Sequence, residues 1–468
     1  MSGPGEYVPD VTEGITRIED LPKPRIKKHS RNYKKRKCPF CGYLAYRDNI
    51  FTRKLHDLGD LKANRPCDLL VTYSQHRCSK CGRYFNADLS DLADHHCQYA
   101  RRVVQLAVRH VVEDGLPYRA ASWHLWRDHR VFVPWATIQN WVESTGEKTE
   151  VEVKSEYIDE ALSEFSGYIA ADELYDGPFC VLFIVDNRKF NRLYYEVLDH
   201  NPTHEDMTAF FKRFKAMLDT RGLTLHGVTT DGSPLYPEPI ADVFGEIQHQ
   251  QCRFHVIKEI NKDILKAVTQ VRKQLKVQKL KCSPGRPSGK KARRIARKNK
   301  QLQKKIATLF EHRHLFVKHT LTASEKKILQ RITRGLPQLR VLRTIMNEVY
   351  RLFDRRCCMD TALDKLKRLR RRIKRFLSLG ETLKKLFSPN LEKSLIFLDD
   401  SLLPATSNAV ERANRRHRKM QKSVYRVRTT DHISQRIAID MLRDAYACGR
   451  NETVNVLHHT RKRLLLCR

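Results

Sequence analysis

The sequence is short of acid. It sets 53 Asp and Glu against 89 Lys and Arg, a net charge of +36. It also lacks any apolar run near the roughly 18 residues that a membrane-spanning helix needs. The longest strongly apolar stretch is Val181 to Val185, so no membrane span is expected. The opening residues, MSGPGEYVPDVTEG, lack a cationic segment followed by an apolar one. A secretory signal is therefore not expected, and a cytoplasmic, nucleoid-associated protein is. In such a setting 13 cysteines point to metal ligands and free thiols rather than disulfides. The acid deficit is local: Pro22 to Lys37 holds nine basic residues and no acid, and Lys281 to Lys305 holds eleven and none. Clustered cation on this scale implies a polyanionic partner, with nucleic acid the first candidate.

A length of 468 residues suggests about three domains. Residues 1–37 read as a flexible basic arm that touches DNA phosphates, or as a solvated tail. Residues 38–97 contain Cys38-Pro-Phe-Cys41-Gly and Cys78-Ser-Lys-Cys81-Gly. In each knuckle the glycine lets the turn close so that both thiolates face one ion, and four thiolates make a closed, structural zinc site. Cys67, His95, His96 and Cys97 lie nearby as alternative ligands but are read as outside the set, and a hairpin or small insertion fills the stretch between the knuckles. Residues 98–150 carry three amphipathic segments, the third opened by Pro134. They form either a helix-turn-helix, with Thr137, Gln139 and Asn140 reading the major groove, or a plain helical linker.

The stretch 151–261 has the order strand, strand, strand, helix, strand, short helix, strand. The helix is marked by Met207, Phe210, Phe211, Phe214, Met217 and Leu218 at helical spacing. The first strand ends on Asp172 and the fourth on Asp231. Ligands gather beyond the carboxyl ends of strands in α/β sheets, and two carboxylates meeting there repel unless a cation lies between them. Hard divalent ions such as magnesium suit that donor set, and paired ions clamp the attacking and leaving oxygens of a phosphoryl transfer. The plainer reading makes both aspartates turn residues. Cys252 and His255 form a C-x-x-H at the end of the last strand, which alone reads as a core Cys and a core His.

Residues 262–400 form a basic helical block. Within it Gly-Arg-Pro at 285–287 either lays Arg286 into a minor groove or is a basic loop. Leu339, Leu342, Met346, Val349 and Phe353 trace one greasy helical face, as do Leu366, Leu369 and Ile373. In residues 401–468 a helix capped by Ser407 or Asn408 carries Glu411 among Arg412, Arg415, Arg416, Arg418 and Lys419. Glu411 is either an ion-pair partner of Arg415 or a third carboxylate of the metal site. The last helix, His432 to Tyr446, is expected to pack on the αβ core.

These pieces together resemble the DDE transposases of bacterial insertion sequences, closest to the zinc-ribbon and Mutator-like groups with an all-helical insertion. The matching segments are AADELYDG around Asp172, VTTDGSPLY around Asp231, CRFH at 252–255 and TSNAVERANRRHRK around Glu411. The resemblance implies an RNase H-like α/β core. It implies that Asp172, Asp231 and Glu411 hold two magnesium or manganese ions, that Cys252 and His255 shape the site or its DNA contacts, and that Arg412, Arg415, Arg416 and Lys419 hold end DNA by its phosphates. It further implies an enzyme, at least dimeric, that cuts its own terminal inverted repeats and joins the 3′ ends to target DNA. The alternatives are a nuclease of the same fold without strand transfer, and a zinc-dependent DNA-binding regulator derived from a transposase.

Overall fold

In the computed structural model the chain divides into two compact units, residues 1–155 with 416–468 and residues 156–415. The described residues are 15, 17–60, 62–281, 287–374, 382–423, 429–447, 449 and 452–459. No helix among them is long and apolar enough to cross a membrane.

The first unit opens on a five-stranded sheet of β1 (Arg25–Arg31), β2 (Lys35–Lys37), β3 (Leu44–Asp60), β4 (Arg65–Cys78) and β5 (Tyr84–Asn86). The order is β1-β4-β3-β2, with β5 also on β4. The long β3–β4 hairpin fills the stretch between the two cysteine knuckles. Within the stretch expected as a flexible arm, Arg25–Arg31 and Lys35–Lys37 are strands instead. β1 runs parallel to β4 from Arg25↔Cys67 to Arg31↔Tyr73, because that edge of β4 would otherwise leave its N–H and C=O groups unpaired. Ion pairs from Arg25 to Asp60 and from Arg31 to Asp91 hold its two ends.

Three helices follow, α1 (Arg101–Val112), α2 (Tyr118–His129) and α3 (Trp135–Glu152). They pack through Val103, Ala107, Val111, Leu125, Ile138 and Val142. The closing helix, Thr430–Tyr446, lies along α3. It was expected on the αβ core; the difference follows from Gly146, where an added Cβ would stand 2.6 Å from the Gln435 Cβ. Only a bare Cα admits so close a crossing. Ser434 then donates to Glu150 at 2.7 Å.

The second unit is built on a sheet ordered β10-β9-β6-β7-β8. Its strands are β6 (Tyr168–Asp176), β7 (Phe179–Asp186), β8 (Arg192–Leu198), β9 (Gly227–Thr230) and β10 (Gln248–Gln251). β6, β7 and β8 form an antiparallel meander, while β9 and β10 run parallel to β6. A short α4 (Ile158–Ser163) precedes β6, and between β8 and β9 lies α5 (His204–Asp219), started by a Thr203–Asp206 capping box. Its Met207, Phe210, Phe211, Phe214 and Leu218 bury against Ile169, Leu182, Ile184 and Val228 of the sheet. α6 (Pro237–Phe244) joins β9 to β10.

From β10 the chain enters a helical block of α7 (Arg253–Val277), α8 (Lys290–Glu311), α9 (Ala323–Thr333), α10 (Pro337–Leu352) and α11 (Met359–Lys374). The greasy faces read from the sequence meet there: Leu339, Leu342, Met346, Val349 and Phe353 share one core with Leu366, Leu369 and Ile373. That core extends through Leu391, Phe397 and Leu403 and so carries the chain back towards the sheet.

Candidate active site

The return of the chain is bolted to the sheet by buried polar groups. Gln250 on β10 is fully buried; its Nε2 donates to the Ser394 carbonyl at 2.8 Å, and its Oε1 accepts from the Phe397 N–H at 3.0 Å. Thr229 on β9 donates to the Pro404 carbonyl at 3.1 Å, and Asn187 donates to the Thr406 carbonyl at 3.1 Å. Buried polar groups are costly unless paired, so these bonds leave segment 394–406 little choice of path. It leads directly into the Asn408–Ser423 helix, which carries Glu411 in its first turn.

Asp231 follows the last residue of β9, and its Oδ1 accepts from the Ser233 N–H at 2.8 Å. Asp172 is not at a strand end as expected; it lies inside β6, opposite Phe183. The effect is the same, because β9 pairs with β6 only over Tyr168, Ile169 and Ala170. Beyond Ala170 that edge of β6 is open, and Asp231 arrives beside it. Asp172, Glu173 and Asp231 each offer an oxygen, all within 4.8 Å of one another. Burial pushes the Asp172 carboxyl up to about 8, helped by the charges of Asp231 and Glu173. Glu411 adds to the same push, so the third acid acts on this pocket.

Glu411 itself falls in a neighbouring set with Cys252 and His255, again within 4.8 Å of one another. Its Oε1 stands 3.8 Å from His255 Nδ1, an ion-pair separation rather than a hydrogen bond. Cys252 is the residue before α7, and its sulfur accepts from the Ser407 N–H at 3.4 Å. Burial works to raise that thiol, but hydrogen bonds from His255 and Ser407 outweigh it and leave it lowered. The same contact with Cys252 raises His255. The C-x-x-H pair thus sets an imidazole beside Glu411.

Three further participants were not singled out in the sequence. Asn414, one turn beyond Glu411 and almost fully buried, donates from Nδ2 to Asp172 Oδ2 at 2.6 Å. Glu173 accepts from the hydroxyl of Tyr236, which is wholly buried. Glu173 follows Asp172 on β6, yet its oxygen lies within 4.8 Å of those of Asp172 and Asp231; the expectation that strand neighbours take opposite faces hides it from a reading of one face. For Asn414 the i, i+3 spacing from Glu411 was the available signal.

In the first unit the hairpin brings the two knuckles together. Cys38, Cys41, Cys78 and Cys81 lie with all four sulfurs within 4.8 Å of one another. Cys38 and Cys81 are 3.7 Å apart and Cys41 and Cys78 3.5 Å, close to the edge of a tetrahedron of Zn–S bonds of about 2.3 Å. Gly42 and Gly82 both take φ +70° and close matching turns. Cys67, His95, His96 and Cys97 are outside this set. Of the expected base readers on α3, Asn140 is exposed and Thr137 partly so. Gln139 donates to Glu143 at 2.8 Å. Arg412, Arg415, Arg416 and Lys419 are exposed along their helix; Arg412 lies over the Phe190 ring at 5.1 Å, and Arg416 pairs with Asp444. Arg286 lies outside the described residues.

A family model described as a transposase, of the ISL3-type DDE class, matches residues 181–437. The match takes in Asp231, Cys252, His255, Glu411 and Asn414, while Asp172 precedes it. No curated protein matches the chain.

Proposed function

From the premise that the chain belongs to the ISL3-type DDE transposase family, we propose that it cuts DNA phosphodiester bonds at the terminal inverted repeats of its element and joins the 3′ ends to target DNA. The observation that carries this is the meeting of Asp172 and Asp231, far apart in sequence, in one pocket where burial first, and then the charges of Asp231 and Glu173, raise Asp172 to about 8. Such a pocket is unfavourable by itself and becomes favourable around divalent cations. The donor set fits magnesium or manganese, with Asp172, Asp231 and Glu411 as the holding residues. Two such ions, when bound, polarise the scissile phosphate and stabilise the attacking and leaving oxygens.

The remaining work belongs to the chain. Asn414 fixes the Asp172 carboxylate by donating to one oxygen, so the other is aimed into the pocket. Glu173, held by Tyr236, adds a further carboxylate beside Asp172 and Asp231. His255 keeps Glu411 turned inward by charge, away from Arg415. Arg412, Arg415, Arg416 and Lys419 bind DNA phosphates, while Thr137, Gln139 and Asn140 on α3 read the repeat. Zinc on the four thiols braces the first unit. Work on two element ends requires at least two copies of the chain.

The test is strand cleavage on a plasmid bearing the element ends. Asp231→Asn and Glu411→Gln are each expected to lower cleavage and joining by at least about a thousandfold, the scale of several kcal/mol of lost charge stabilisation. Binding to end DNA should stay near the parental level. A variant that nicks and joins at the parental rate would overturn the assignment.

A further inference from the structure

The knuckle end of the first sheet carries a pattern that neither the zinc site nor the metal-dependent pocket uses. Four strands place directly opposed residues in one row: Lys35 on β2 faces Tyr46 on β3, Tyr46 faces Arg77 on β4, and Arg77 faces Tyr84 on β5. Directly opposed residues share a face, so the row alternates cation, ring, cation, ring across the sheet. All four are exposed, with Tyr46 at 50 % and Tyr84 at 51 %. The next row points to the other face and is different in kind: Ala45 and Cys78 are buried.

The cations lie over the rings. Lys35 stands 5.2 Å from the Tyr46 centroid and Arg77 5.6 Å from that of Tyr84. The knuckle loops continue the pattern, with Lys80 over Tyr43 and Arg83 over Phe40. No Asp or Glu occurs in residues 29–47 or 69–87. Asp88, just beyond, acts on Arg36 and Arg31; Arg36 opposes Ala45 in the buried row. Rings so exposed are poorly explained as core, and cations without carboxylates are poorly explained as surface ion pairs.

Resting on the reading that this protein acts on DNA, we infer that the Lys35–Tyr46–Arg77–Tyr84 row is a platform for single-stranded DNA. Strands about 4.8 Å apart put the two tyrosines about 10 Å apart. Unpaired bases stack on the rings, and the lysine and arginines neutralise the phosphates between them. A duplex hides its base faces and gains only the charge. The zinc knuckles, by fixing the ends of β2 to β5, keep the row flat enough to be used.

The experiment uses the full, zinc-loaded chain carrying Asp231→Asn, so that binding is read on uncut DNA and stands or falls apart from cleavage. Fluorescence anisotropy follows a labelled single-stranded oligodeoxynucleotide, its duplex and the matching RNA strand across a salt series. Tyr46→Ala with Tyr84→Ala is expected to weaken single-stranded DNA binding at least about tenfold. Duplex affinity, bound zinc and the salt slope should stay unchanged, since no charge is removed. Tyr46→Phe with Tyr84→Phe keeps both rings and should restore binding. Tyr43→Ala with Phe40→Ala is a second pair, judged the same way should the first lose zinc. Undiminished single-strand binding, an equal loss on duplex, a loss confined to RNA, or failure of the phenylalanine pair would each overturn the platform.

Discussion

His249 illustrates how one side chain near the site is constrained by burial. It sits on β10, partly buried, with Nε2 2.9 Å from the Thr230 hydroxyl, one residue before Asp231. Burial, with a smaller push from Lys393, lowers its pKa to about 4. The folded state therefore favours the neutral ring. Its contribution to stability is complete above the free value near 6.5 and is lost progressively as pH falls from there to about 4. The expected slope is about 1.4 kcal/mol per pH unit across that window. Urea unfolding at several pH values checks this: His249→Gln should flatten the loss, and an unchanged slope would show that other groups cause it. Asp172 differs in kind. Its ionisation is opposed by burial and then by neighbouring acids, which fits the cation site proposed above.

At the scale of elements, the strand–helix order of the core was legible because apolar periodicity is local: the α5 stripe over Met207 to Leu218 is the buried face observed. Strand ends were less legible. β6 continues past Asp172 to Asp176 because its hairpin partner β7 pairs with it all the way, and a partner's length cannot be read from the strand itself. β1 is hidden for the same reason: six basic or polar residues and Ile26 become a strand only because β4 offers an edge. The β3–β4 hairpin brings its own prediction. Four thiolates bridged by zinc would tie its root, so chelation should unfold this sheet while sparing the β6–β10 sheet. Hydrogen exchange would read it as lost protection for amides of residues 44–78 with protection kept over 168–186. Equal protection with and without chelator would rule out a bracing ion.

For the whole molecule the net charge of +36 is the governing quantity. If six or more phosphates are neutralised, DNA affinity should fall by about a thousandfold or more between about 50 mM and about 200 mM salt. A flat response would contradict a cationic surface as the source of binding. Charge also explains why helices as basic as α8 and α11 are tolerated, since their apolar sides are buried in a shared core while the cations remain in water.

The sequence by itself determined what depends on neighbours along the chain: the paired cysteine knuckles, the periodic helices, the strand order of the core, the cationic balance, and three acids recognisable from their local motifs. Tertiary structure alone decided what depends on groups distant in sequence. It brought Asp231 to the open edge of β6, fastened segment 394–406 through Gln250 and Thr229 so that Asn414 reaches Asp172 while Glu411 lies beside Cys252 and His255, and laid the closing helix on α3 at Gly146. The physical reason is that a contact between residues so far apart in sequence leaves no period in either segment. It is set by which buried polar groups find partners and which backbones can approach, and these are properties of the folded chain only.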